Sequence, residues 1–144
     1  MTNDDDSYDL ARFVQAQDAG GTYAAALDQL RRGRKTGHWM WFVFPQINGL
    51  GLSDMSRRYA ITSLNEARAY LDHPTLGQRL RASAQALLDC GNDDVVAVMG
   101  GIDAQKLRSS MTLFHLADPD DATFAAVIER FFNGQLDPET EARV

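Results

Sequence analysis

The apolar residues of this chain recur at three- and four-residue intervals in short stretches, and almost every stretch is cut by glycine, proline or an acidic turn. Leu10, Phe13 and Val14 form one such stripe, Leu64, Ala67 and Leu71 a second, and Phe124, Val127, Ile128 and Phe131 a third. A longer one runs from Leu76 through Leu80, Ala84 and Leu87 to Leu88, between Pro74 and Gly91. Short one-sided helices bury their stripes only against one another, so the expected fold is all-α: an irregular single-domain bundle of about seven or eight short helices. Only WMWFVF at 39–44 and DVVAVM at 94–99 have strand-like content, and two strands alone are marginal in water. One minor two-stranded hairpin is therefore the most β-structure expected, and the acidic turn before Val95 favours helix there.

The breaks carry recognisable helix ends. Asp9 is the expected N-cap of the first helix, and Thr22 of a second that Gly33 stops. Ser63 followed by Glu66 fits a capping box. Asp103 is expected to cap KLRSSMTLF, with Ile102 stapled to Leu107. Asp118-Pro119 and Asn133-Gly134 bracket the next helix, and Asp137-Pro138 opens a last helical turn. Residues 47–61 read as an irregular loop, signalled by Gly49 and Gly51 and packed down by Ile47, Leu50 and Leu52.

A chain of 144 residues with 44% hydrophobic content supports one core, so residues 8–144 are expected to form a single domain after a disordered acidic lead-in over 1–7. The 14 basic against 20 acidic side chains, net -6, argue against nucleic acid and anionic membranes as partners. No apolar run approaches the roughly 20 residues of a membrane span. A lone Cys90 and an N-terminus without an apolar leader point to the cytoplasm. Asp4 to Asp6 and Asp118 to Asp121 read as solvated acidic faces.

Chemistry concentrates in RRGRKTGHWMWFVFPQ, residues 31–46. Arg31 and Arg32 suit the negative end of the preceding helix. Arg34 and Lys35 lie past the Gly33 stop, where a turn can aim them at one anion, and a guanidinium holds phosphate or carboxylate with a planar fork. Most of the following aromatic run belongs in a core, yet six consecutive apolar residues cannot all face one way on a helix. Trp41, or Trp39, is the ring expected to stack on a ligand while offering its indole N–H. His38 is an acid–base candidate or a hydrogen-bonded structural histidine. Lys106, Ser109, Ser110 and Thr112 form a polar stripe, and Ser109 and Ser110 either bind ligand oxygens or bond back to their own helix. His73 and His115 sit at junctions, and no HExxH, CxxC or clustered carboxylates call for a metal or a cofactor.

FVQAQ at 13–17, GRKTGHWMWFVFPQ at 33–46, GLGLSDMSRRYAI at 49–61, EARAYLDHPTLGQRL at 66–80 and KLRSSMTLF at 106–114 resemble the pattern of a bacterial helical family, the domain-of-unknown-function family 1810. That resemblance covers the chain from Tyr8 and implies a mainly helical single domain without an assigned activity. The same order of QAQ, GRK with a following Trp, HPxLxxRL and LxSSM is distantly similar to NAD- and ADP-ribose-associated domains that cleave N-glycosidic bonds. The similarity implies a phosphorylated or nucleotide-like ligand, with Gln15 and Gln17 hydrogen-bonding a polar ring and Asp9 or His38 as the catalytic group. Those enzymes place a glutamate shortly before the QA pair, where this chain has Ala11. The alternative is a non-catalytic module in which Trp39, Arg34 and the Gly49 loop meet a protein partner.

Overall fold

The structure, a computed structural model, describes residues 6–144. Ten α-helices follow one another: α1 Ala11–Asp18, α2 Thr22–Arg31, α3 Met40–Val43, α4 Asp54–Arg58, α5 Leu64–Asp72, α6 Leu76–Asp89, α7 Val95–Met99, α8 Gly101–Ala117, α9 Ala122–Phe132 and α10 Pro138–Arg143. The count exceeds the sequence expectation because α3, α4 and α7 are only four or five residues long. α4 lies inside the stretch expected to be a loop. Among the described residues the expected hairpin is absent, and the β-structure is one isolated parallel bridge between Ile47 and Ile61.

α8 runs through the middle, packed by α5, α7, α9 and α10. Its buried residues, from Ala104 to Ala117, point in every direction, so Ser109, Ser110 and Thr112 are inside the protein rather than on a polar outer face. Aromatic rings thread the core from α1 to α9: Phe13 meets Tyr70 edge-on at 5.1 Å, Tyr70 lies 5.3 Å from Phe114, and Phe114 lies 6.0 Å from Phe124. α5 and α6 approach so closely that a Cβ at Gly77 would stand 2.0 Å from the Leu71 carbonyl oxygen.

Several helix ends differ from the expected ones. Asp6, not Asp9, caps α1, its carboxylate accepting from the Leu10 and Ala11 N–H groups at 2.6 and 2.9 Å. Asp9 instead occupies the left-handed region with φ 53°. Of the acidic lead-in, residues 1–5 lie outside the described residues. Gly21 precedes α2 in a left-handed conformation, and the Thr22 hydroxyl donates backwards to the Ala19 carbonyl. α8 begins at Gly101, two residues before the expected cap, so Asp103 lies in its first turn and Ile102 is 76% exposed rather than stapled. Asp121, not Asp118, caps α9, and its second oxygen takes Arg81 of α6 at 2.7 Å. The run 118–121 is thus a load-carrying junction and not merely a solvated face.

Other ends follow the sequence. Gly33, φ 73°, closes α2 in a Schellman motif, with its N–H on the Leu30 carbonyl and the Arg34 N–H on that of Gln29. Ser63 caps α5 by accepting from the Glu66 N–H. The Glu66 carboxylate, 1% exposed, takes the Thr62 N–H and hydroxyl at 2.9 and 2.7 Å and pairs with Arg12 at 3.1 Å. His73 accepts from the Thr75 and Leu76 N–H groups at the start of α6.

Candidate functional site

The first turns of α8 form one wall of a cleft of about 500 Å³. Gly101, Ile102, Gln105, Lys106 and Ser109 face it from that helix, Gln46, Leu50 and Gly51 from the segment after α3, and Asp137 and Glu139 from the start of α10. The Gln46 segment is fixed by backbone hydrogen bonds of 2.8 Å from the Ile61 N–H to the Gln46 carbonyl and from the Asn48 N–H to the Ile61 carbonyl. Gly51 permits the loop to lie against α4, since a Cβ there would sit 2.3 Å from the Ser56 Oγ.

The α10 wall is held by the hydroxyl stripe of α8. Asp137, 2% exposed, accepts from Ser109 Oγ at 2.6 Å and Thr140 Oγ1 at 2.7 Å, and its N–H donates to Thr112 Oγ1 at 2.9 Å. Arg108 bonds the carbonyls of Gln135 and Leu136 just before it. Burial works against charge on Asp137, but the Ser109 and Thr140 hydroxyls, the Glu139 N–H and the Arg108 charge outweigh it and hold the carboxyl below its ordinary range. Asp137 is therefore a carboxylate at neutral pH.

Lysine chemistry meets this wall at one shared partner. Lys35 is almost fully buried: its ammonium is 2.8 Å from Asp103 Oδ2, donates to the Gly37 carbonyl and sits 4.8 Å over the Trp39 ring. Its backbone N–H bonds the Val98 carbonyl at 2.7 Å, tying the Gly33 turn to α7. Lys106 has the weaker claim on Asp103, at 3.9 Å to Oδ1, and its ammonium lies 5.3 Å over the Trp41 ring.

Of the sequence candidates, Ser109 lines the cleft and Trp41 touches it through Lys106. Ser110 is fully buried, and its hydroxyl has no hydrogen-bond partner among the described residues. Arg34 is exposed, and neither it nor Lys35 lines the cleft. Gln15 is exposed, whereas Gln17 is buried as a cross-tie, donating to the Phe42 carbonyl at 2.7 Å and the Tyr70 hydroxyl at 3.3 Å and accepting from Arg79 at 3.1 Å. Asp9 and His38 are exposed and lie outside the cleft lining. Trp39 is a core residue at 2% exposure, its indole bonded to Gln29 Oε1 at 2.9 Å, so it offers no surface to a protein partner.

Gln46, Gln105 and Glu139 have no local signature that singles them out, and Asp137 reads in sequence only as a helix cap. The polar stripe containing Lys106 and Ser109 was the one signal pointing to this wall.

The fold defines a compact all-α domain with a cleft beside the first turns of α8, and the comparisons place it within a family. A family model described as "Protein of unknown function (DUF1810)" matches residues 7–144, and the chain belongs to that family. The crystal structure of the conserved hypothetical protein Rv1873 from Mycobacterium tuberculosis is similar, with 44% sequence identity, a TM-score of 0.91, and coverage of 95% of this chain and 96% of that one. No curated protein matches the chain.

Proposed function

We propose that the cleft binds a phosphorylated, nucleotide-like small molecule, with Lys106 as the contact to its anion. One observation carries this reading. Two lysines share the single carboxylate Asp103, and the closer, buried Lys35 takes it at 2.8 Å, leaving Lys106 at 3.9 Å with its charge only partly neutralised beside open space. The first turn of the 17-residue α8, which has no side-chain cap, adds its positive end to the same wall. The ionised Asp137 repels an anion from the α10 end, which orients the molecule with its phosphate towards Lys106. Gln46 and Gln105 supply hydrogen bonds, and Leu50 and Ile102 supply apolar surface for a ring. For an N-glycoside, Glu139 is the exposed carboxylate lining the cleft, and Asp137 behind it holds the α10 wall.

A thermal-shift series with inorganic phosphate, ribose 5-phosphate, AMP, ADP-ribose and NAD tests the reading. Stabilisation by the phosphorylated compounds, abolished in Lys106→Ala, is the expected result. No shift with any of them, or an equal shift in the variant, overturns it. The second reading, a non-catalytic interaction module, draws on Leu52 and Ile102, which are 81% and 76% exposed.

A further inference from the structure

Next to the cleft is a second, much smaller space. It is lined by Trp41, Gln46, Ile47, Gly49, Gly51, Ser56 and Tyr59 and measures about 10 Å³. Gln46 and Gly51 line both spaces, so the small one adjoins the cleft. Trp41 borders it, and the Trp41 Nε1 atom is buried without a hydrogen-bond partner among the described residues. Native proteins leave few buried donors unmade, and each one found asks for a partner. The other indole, Trp39, has its partner in Gln29.

An indole nitrogen only donates, so whatever meets it is an acceptor, which excludes an ammonium or guanidinium group. The volume is at the lower limit for a single water-sized atom, so only one oxygen fits. The Lys106 ammonium lies over the same indole ring, 5.3 Å from its centroid. The ammonium and the indole are thus in contact with each other, so an anion on Lys106 and an acceptor at the indole edge fit the phosphate and a ring hydroxyl of one sugar phosphate. We propose that this space is a one-atom subsite of the cleft, in which the Trp41 N–H donates to a hydroxyl or carbonyl oxygen of a sugar phosphate whose anion is held by Lys106. The assignment rests on the anion-binding reading above and gives Trp41 a donor role at its edge, because Lys106 lies over a face of the ring.

Proton–nitrogen correlation spectra of the full chain separate the two indole N–H signals, with Trp41→Phe identifying which is which. Titration with ribose 5-phosphate is expected to move the Trp41 signal downfield and leave that of Trp39 in place, whereas inorganic phosphate, reaching Lys106 alone, moves neither. In calorimetric titrations, Trp41→Phe weakens ribose 5-phosphate about tenfold, the equivalent of one hydrogen bond, and leaves inorganic phosphate unchanged. If ribose 5-phosphate binds, loses its affinity in Lys106→Ala, yet leaves the Trp41 signal and the Trp41→Phe affinity unchanged, the subsite is overturned and a water serves the indole, while the anion reading stands. If neither compound binds, both fall together.

Discussion

Replacing Gly77 by alanine sets two effects of opposite sign against each other. Gly77 is the second residue of α6, and alanine is preferred over glycine in a helix by about 1 kcal/mol, so helix propensity alone makes the variant more stable. Packing reverses the sign. The new Cβ would stand 2.0 Å from the Leu71 oxygen and 2.8 Å from its carbonyl carbon, both backbone atoms that no rotamer change can move aside. Relief requires the end of α5 to retreat from α6 by more than an ångström, which disturbs the buried neighbours Tyr70, Leu71, Leu76 and Leu80 and the 3.4 Å bond from Arg81 to the same oxygen. Overpacking of this kind costs about 3 kcal/mol at the upper end of its usual range. The net loss is about 2 kcal/mol, or about 4–8 °C in Tm for a chain of this size. Urea and thermal unfolding followed by circular dichroism measure it, with Gly101→Ala as the control, because a Cβ at Gly101 meets nothing within 4 Å. A Gly77→Ala protein as stable as the parent, or more so, refutes the close approach of α5 and α6.

Glu66→Gln leaves the Thr62 contacts partly intact but strips Arg12 of its countercharge. Removing one partner of a buried pair costs about 3–5 kcal/mol, and because Arg12 keeps the carbonyls of Tyr8, Asp9, Arg58 and Ala60 the expected loss is nearer about 2 kcal/mol in urea unfolding. A loss below about 0.5 kcal/mol would show that the clamp is idle. Asp137 and Asp121 both have their carboxyls held below the ordinary value of 3.8 in the folded protein. Each therefore contributes stability that is fully present above about pH 5 and lost as pH falls through the lowered folded value. Asp137→Asn is expected to flatten the acid limb of the stability curve, and an unchanged acid midpoint counts against the network around α10.

Helix existence was legible wherever an apolar stripe met a strong end signal, as at Ser63, Gly33 and Asp137-Pro138. Which acid does the capping was less so. Asp6 and Asp9, or Asp118 and Asp121, are interchangeable by type, and the choice falls to tertiary geometry, since only Asp121 meets both the first turn of α9 and Arg81. The start of α8 was missed for a related reason. Asp103 looked like a cap, but its carboxylate is taken by Lys35 from a turn far away in the chain. The same pairing explains why the basic cluster misled: Lys35 looked free for an anion because its partner is invisible to local pattern. The cleft itself draws on residues near 46, 105 and 139, and no periodicity within one segment reports such a meeting. Ile102 is the instructive failure, since the staple rule buries it and the fold leaves it at the cleft rim.

The sharing of Asp103 has a thermodynamic corollary. An anion that draws the Lys106 ammonium towards itself ends that residue's weak claim on the carboxylate, and Asp103 then serves Lys35 alone. On the anion reading proposed above, occupancy of the cleft is expected to tighten the attachment of residues 33–38 to α8, although those residues do not line it. Conversely, neutralising Lys35 leaves Asp103 to Lys106 and is expected to lower anion affinity. On that reading, the basic turn at residues 33–38 would act on the cleft from a distance, through one acid shared by two amines.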